Sequence, residues 1–187
     1  MGRESESGRV EEESMEDVRG KIALVVDDEP NVRMYLQAVL EDAGLEVQTA
    51  ANGNQALERM TEKKPDVISL DLVMPKMSGL KFFRYIQKNK ERAGIPVVVV
   101  TAHAKDELGS EDFKKLEKYK SEDCKIYLLE KPVDALTYVD TVRKALDLEP
   151  LDPESEEGAS LRLQVTDAIQ AADRESLKKA LEVLKRS

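Results

Sequence analysis

Between Lys21 and Leu148 short, almost wholly apolar runs alternate with longer stretches of helical character, the pattern of repeated β-α units around a parallel sheet. The apolar runs are Ile22-Ala23-Leu24-Val25-Val26, Val47-Gln48-Thr49-Ala50, Val67-Ile68-Ser69-Leu70, Val97-Val98-Val99-Val100 and Ile126-Tyr127-Leu128-Leu129. The first and fourth show no polar alternation, which predicts strands covered by helices on both faces. The helical stretches carry end signals. Pro30 suits a first turn, where a missing N–H costs nothing, and Gly44 after Ala43 marks a C-terminal stop. Pro65 is expected to close the second helix, Gly94 and Pro96 the third, and Asp134 to cap the last. The fourth is expected at about Glu111 to Lys120, with a solvated, charged face. The prediction is an α/β fold: a doubly wound five-stranded parallel sheet with helices on both faces, plus a short C-terminal helical tail.

The flanks read differently. Residues 1–20 are rich in Glu and Ser, offer too little apolar surface to offset ordering entropy, and are expected to form a flexible acidic tail. The domain proper is expected at 21–148. The Pro- and acid-rich stretch 149–158 reads as a linker, and 159–187 as a helical tail. In that tail Leu161, Val165, Ala168, Ile169 and Ala172 share one helical face. Leu177, Ala180, Leu181 and Leu184 share another, rotated by about a third of a turn at roughly 100° per residue, so a break near Asp173 is expected. These faces suit packing on each other, on a second copy in a homodimer, on a partner protein or on the domain itself.

Composition narrows the function. Asp and Glu number 38 against 29 Lys and Arg, a net charge of -9, with no basic stripe to follow a phosphate backbone, so direct nucleic-acid binding is not expected. One cysteine, Cys124, and one histidine, His103, exclude a disulfide framework and a Cys/His zinc cluster. No apolar run approaches the roughly 18 residues of a membrane span, and the acidic N-terminus lacks the order of a signal peptide. A cytoplasmic location is the expectation.

The chemistry gathers at the carboxyl ends of the strands, where parallel α/β sheets bind ligands. Asp27 and Asp28 follow the first strand, Asp71 the third and Lys131 the fifth, while Thr101 ends the fourth. With sheet order 2-1-3-4-5 the first and third strands are neighbours, and their carboxylates converge in one crevice. Converging carboxylates repel, so a positive charge must offset them. Lys131 is one candidate; the other is Mg2+, which keeps several waters and accepts one or two carboxylates plus a phosphoryl oxygen. Each residue alone is commonplace at a strand end; five together at the ends of four strands are not. Asp71, central in the set, is the expected nucleophile toward phosphorus. Asp28 is expected on the metal, Asp27 on its waters, with Lys131 and Thr101 on the phosphoryl oxygens.

These residues, in this order, resemble the receiver domain of bacterial two-component response regulators over about Lys21 to Leu148. The most specific segment is Asp71-Leu72-Val73-Met74-Pro75-Lys76-Met77-Ser78-Gly79, which looks like the family's D-x-x-M-P-x-M-x-G stretch. Asp27-Asp28-Glu29-Pro30, Thr101-Ala102 and Lys131-Pro132 complete the signature. The resemblance implies a flavodoxin-like sheet and a magnesium ion held by Asp28, Asp71 and the backbone carbonyl of Val73. It also implies phosphoryl transfer from a sensor histidine kinase or phosphotransfer protein, and movement of Thr101 on activation. Its output would pass through contacts with a protein target, since the short tail leaves no room for the usual DNA-binding domain.

Two departures stand out. Three positions before Lys131, where most members carry an aromatic switch residue, this chain has Leu128, and Tyr127 is expected to face the opposite side. The span from Thr101 to Lys131 is also longer than usual. In family terms His103 and Val73 flank the phosphorylated side chain and would influence attack of water on the acyl phosphate. A phosphohydrolase of the haloacid-dehalogenase type shares a similar sheet but usually has a second Asp two positions after its nucleophile, where this chain has Val73. A pseudo-receiver that only binds partners would be expected to lose Asp71 or Lys131, and both are present.

Overall fold

The computed structural model describes residues 18–102, 107–119 and 124–150. His103, the linker beyond Pro150, the C-terminal tail and residues 1–17 lie outside the described residues. Strands β1 (Ile22–Val26), β2 (Glu46–Ala50), β3 (Val67–Leu70), β4 (Val97–Thr101) and β5 (Ile126–Glu130) form one parallel sheet in the order β2-β1-β3-β4-β5, as predicted. Each strand is followed by a helix: α1 (Pro30–Asp42), α2 (Gly53–Glu62), α3 (Gly79–Gln87), α4 (Glu107–Glu117) and α5 (Ala135–Ala145).

The burial of β1, β3 and β4 along their whole length is explained by two cores. Leu24, Val26, Ile68, Leu70, Val97 and Val99 face one core, closed by Met60 of α2, Phe82, Phe83 and Ile86 of α3, and Leu116 of α4. Ala23, Val25, Val67, Val98 and Val100 face the other, closed by Leu36, Val39 and Leu40 of α1 and Tyr138, Val139 and Val142 of α5. Alternation along each strand thus feeds both faces. At the edges, β2 and β5 are only partly buried.

Most end signals act as expected. Pro30 opens α1, and Gly44 after it takes φ +89 with Ala43 and Gly44 N–H groups turned back on Val39 and Glu41 carbonyls. The side chain of Asp134 accepts a hydrogen bond from Thr137 N at 2.9 Å and caps α5.

Three boundaries differ from expectation. The third helix stops at Gln87, ahead of Gly94 and Pro96, because Asn89 diverts the chain into turns: its side chain accepts from Glu91 N and its carbonyl from Arg92 and Ala93. The fourth helix begins at Glu107 rather than near Glu111. Packing begins before Lys21, since Val18 is fully buried in the α1–α5 core beside Gly44.

Replacing Asp134 by Ala should lower stability by about 1 kcal/mol at neutral pH, the usual worth of an N-cap. Hydrogen bonds from Thr137 outweigh desolvation and hold the Asp134 carboxyl below its ordinary 3.8. The contribution is therefore present above that value and lost as pH falls below it. Urea unfolding of both proteins at neutral and strongly acidic pH should show the gap closing in acid; a gap independent of pH would exclude the charged cap.

Candidate functional site

The sheet ladder itself places the polar residues. One residue beyond β1, Asp27 N donates to Ala50 O of β2 at 3.1 Å; beyond β3, Asp71 N donates to Val26 O of β1 at 2.9 Å. Lys131 N, just past β5, donates to Thr101 O of β4 at 3.0 Å. Parallel pairing thus continues one step past the apolar strands and sets these residues along one carboxyl edge, as strand-end chemistry requires.

There the side chains meet. Asp27, Asp28 and Asp71 each offer a carboxylate oxygen, and these three oxygens all lie within 4.8 Å of one another. Asp27 and Asp71 are buried and Asp28 is partly exposed. Lys131 Nζ lies 2.8 Å from Asp27 Oδ2, 2.8 Å from Asp71 Oδ2 and 3.3 Å from Glu29 Oε1. Its contact with Asp71 is a hydrogen bond, whereas Asp27 Oδ2 is not aligned to accept one and is held by charge. The remaining Asp27 oxygen accepts from Glu29 N at 2.9 Å, and Asp71 Oδ1 accepts from Val73 N at 3.1 Å.

Electrostatics follows from this burial. Desolvation raises the Asp27 carboxyl above its ordinary range despite the lowering effect of Lys131. For Lys131 desolvation works toward the neutral amine, but its close contacts with the charged Asp27 and Asp71 prevail and leave it above the usual lysine range. The ammonium therefore stays charged through neutral pH. A single such charge facing Asp27, Asp28, Asp71 and Glu29 leaves the crevice negative.

The Asp71–Gly79 loop is held by close packing. A Cβ at Gly79 would lie 2.1 Å from the Asp71 carbonyl oxygen, so only glycine lets α3 begin against the backbone of Asp71 and Leu72. Gly79 N donates to Leu72 O at 3.0 Å, and the loop turns through Lys76 at φ 66. On the other side Met77 seats over Gly53, where a Cβ would meet its side chain at 2.6 Å.

The structure brings Asp27, Asp28, Asp71 and Lys131 into contact range, and places the buried Thr101 on the same edge through its backbone bond to Lys131. Val73 contributes its N–H to Asp71 and exposes its side chain. The sequence reading assigned no role to Glu29 or Arg33. Glu29 reaches Lys131, and Arg33 Nη1 donates to Asp27 O at 2.6 Å. The signal was available: Arg33 lies one helical turn after Glu29, directly behind the acidic pair.

A doubly wound parallel sheet with an acidic, lysine-bearing crevice at its carboxyl edge defines the class of protein. A family model for the response regulator receiver domain matches residues 23–142, and the chain belongs to that family. It is 35% identical over 123 residues to Protein PilH of Pseudomonas aeruginosa, covering 66% of this chain and 95% of PilH. It is 39% identical over 83 residues to the DNA-binding transcriptional regulator NtrC of Klebsiella pneumoniae, covering 44% of this chain but only 17% of that longer relative. Among solved structures, chemotaxis protein CheY4 of Vibrio cholerae superposes with a TM-score of 0.58 at 28% identity, covering 67% of this chain and 98% of CheY4. Among the described residues no helix is long and apolar enough to cross a membrane.

Replacing Gly79 by Ala should cost roughly 1–3 kcal/mol, the usual range for overpacking, because the added methyl meets backbone that cannot rotate away. Urea unfolding reads the loss. Displaced amide resonances at Asp71 and Val73 should accompany it, and an unperturbed spectrum would exclude the clamp.

Proposed function

We propose that this protein is a phosphorylation-controlled signalling switch in which Asp71 accepts a phosphoryl group from a histidine kinase or phosphotransfer protein. The observation that carries this reading is the buried Lys131 ammonium 2.8 Å from both Asp27 and Asp71, beside a third carboxylate, Asp28.

The donor set suits Mg2+. Two oxygens bound directly to one octahedral ion at about 2.1 Å cannot be more than about 4.2 Å apart. Three oxygens within 4.8 Å of one another are close enough to serve one ion; as the family resemblance implies, Asp28 and Asp71 would contact it directly, and Asp27 would reach it through a water. Asp27 Oδ2, buried without a directed hydrogen bond, is an acceptor available to such a water. The backbone carbonyl of Val73 completes the protein's share. When bound, the ion would supply positive charge to neutralise the phosphoryl oxygens beside Asp71.

The protein's own residues do the rest. A carboxylate oxygen of Asp71 attacks phosphorus as the bond to the donor's imidazole nitrogen breaks, leaving an aspartyl phosphate and a neutral imidazole. Lys131 exchanges its ion pair with Asp71 for one with a phosphoryl oxygen, and Thr101 donates its hydroxyl to another. Val73 N–H holds Asp71 in the attacking rotamer. The changed charge then alters contacts with a protein target. The step is self-modification rather than turnover of an external substrate.

Incubation with acetyl phosphate and Mg2+ should add one phosphoryl group on Asp71, located by peptide mass. Chelation of the metal or Asp71→Asn should abolish the adduct, and Lys131→Ala should slow its formation at least tenfold, as expected for loss of a charge that stabilises phosphoryl transfer. No adduct on the parent chain would leave a partner-binding module, and turnover of many phosphomonoesters a hydrolase.

A further inference from the structure

Three of the buried oxygens that lack a directed hydrogen bond belong to Asp27 (Oδ2), Ser69 (Oγ) and Tyr138 (OH). All three lie on the α1–α5 side of the sheet. Ala23 and Val25 face that core, so alternation brings Asp27 to the same side. Ser69 stands opposite Val25 in the β1–β3 register and alternates with Val67, which faces the same core. Tyr138 enters that core from α5 with no exposed surface.

The three also interact. Burial raises the Tyr138 phenol above its ordinary range, the Ser69 hydroxyl opposes that rise, and the charge of Asp27 adds to it. Ser69 and Tyr138 therefore adjoin without a well-directed bond, and Tyr138 lies within the field of Asp27. The neighbouring Tyr35 hydroxyl is engaged elsewhere, donating to Val133 O at 3.2 Å. A buried hydroxyl without a partner is costly, whereas phenylalanine would fill the same volume at no polar cost. A natural acceptor is Asp27 Oδ2, which faces the Lys131 ammonium at 2.8 Å but has no directed hydrogen bond of its own.

We propose that Tyr138, acting with Ser69, is a positioning residue for Asp27: the two hydroxyls direct a hydrogen bond onto Asp27 Oδ2, themselves or through one buried water, and so hold Asp27 in the rotamer that serves the metal. The proposal rests on the site reading above. Buried water with two to four polar partners is ordinary in such a place. Because Tyr138 belongs to α5, the same contact ties that helix to the pocket, on the sheet face opposite Leu128.

The test uses the full chain, its Tyr138→Phe and Ser69→Ala variants, and calorimetric titration with Mg2+ alone. Each variant should bind Mg2+ about tenfold more weakly, as for other groups that orient metal ligands. Thermal stability should fall only slightly, since the net worth of one hydrogen bond is modest and Asp27 Oδ2 keeps its contact with Lys131. With tyrosines labelled at 13Cζ, the Tyr138 resonance of the parent should also move when Mg2+ is added. Parent-like affinity in both variants, or weakening that merely tracks a fall in melting temperature, overturns the proposal and leaves the phosphoacceptor reading intact. A parent chain that binds no Mg2+ overturns both, and is told apart by that first titration.

Discussion

One buried ammonium organises this molecule's chemistry. Asp27 and Asp71 are buried carboxylates at the end of apolar strands, where a close counterion offsets the cost of burying charge. Lys131 supplies it at 2.8 Å to each. Yet one positive charge does not balance Asp27, Asp28, Asp71 and Glu29, and the residual negative field is what makes the crevice a cation site. A fully neutralised crevice would be more stable alone and would have no use for a divalent ion. The site thus keeps an imbalance that ligand binding relieves.

The ammonium and the carboxylates hold their places because the sheet's hydrogen bonding runs one residue past its apolar strands. Asp27, Asp71 and Lys131 each donate a backbone N–H to the last residue of a neighbouring strand. Their Cα positions are therefore as rigid as the core, leaving side-chain torsions as the main freedom. The loop after Asp71 adds a second restraint from above, since Gly79 presses on the Asp71 carbonyl and Met77 on Gly53. Rigid backbone with mobile charge is the arrangement that lets one group exchange partners without disturbing the fold.

The strands and the carboxylate edge were legible because both rest on local pattern: continuous Val, Ile and Leu runs have few other uses, and Asp or Lys directly after such a run can only lie at a strand end. Helix ends were less legible. Gly94 and Pro96 are genuine breakers, but Asn89 had already turned the chain, and its competing side-chain bond is not distinguishable by type from a solvent-facing Asn within a helix. The start of α4 was unreadable for a different reason, since in a highly charged segment with Phe113 and Leu116 as its inward residues among those described a helical period has little to register against. Ser69 escaped notice as a single polar residue within an apolar run, and Tyr138 as an ordinary inward residue of a mixed helix; only the sheet register and the packing of α5 bring them to the sheet face of Asp27.

The departure at Leu128 bears on how a change at Asp71 could travel. Leu128 packs with the α2–α4 core, and Tyr127 lies on the other side, its hydroxyl 3.5 Å from Lys144 O and its ring 5.9 Å from the Lys144 ammonium. An aromatic ring swinging in behind Thr101 is therefore not available from either position: the one lacks a ring and the other is engaged with α5 across the sheet. What remains is backbone and α5. Thr101 O is bonded to Lys131 N, so a pull on the lysine is felt at the end of β4. Three residues after Lys131 the chain enters α5 through the Asp134 cap, and one turn further on Tyr138 returns to the core beneath Asp27. The helix that follows the lysine thus joins the crevice through three residues of chain and packs on the sheet face to which Asp27 points, which makes α5, rather than a β5 aromatic, the element best placed to respond to charge in the pocket.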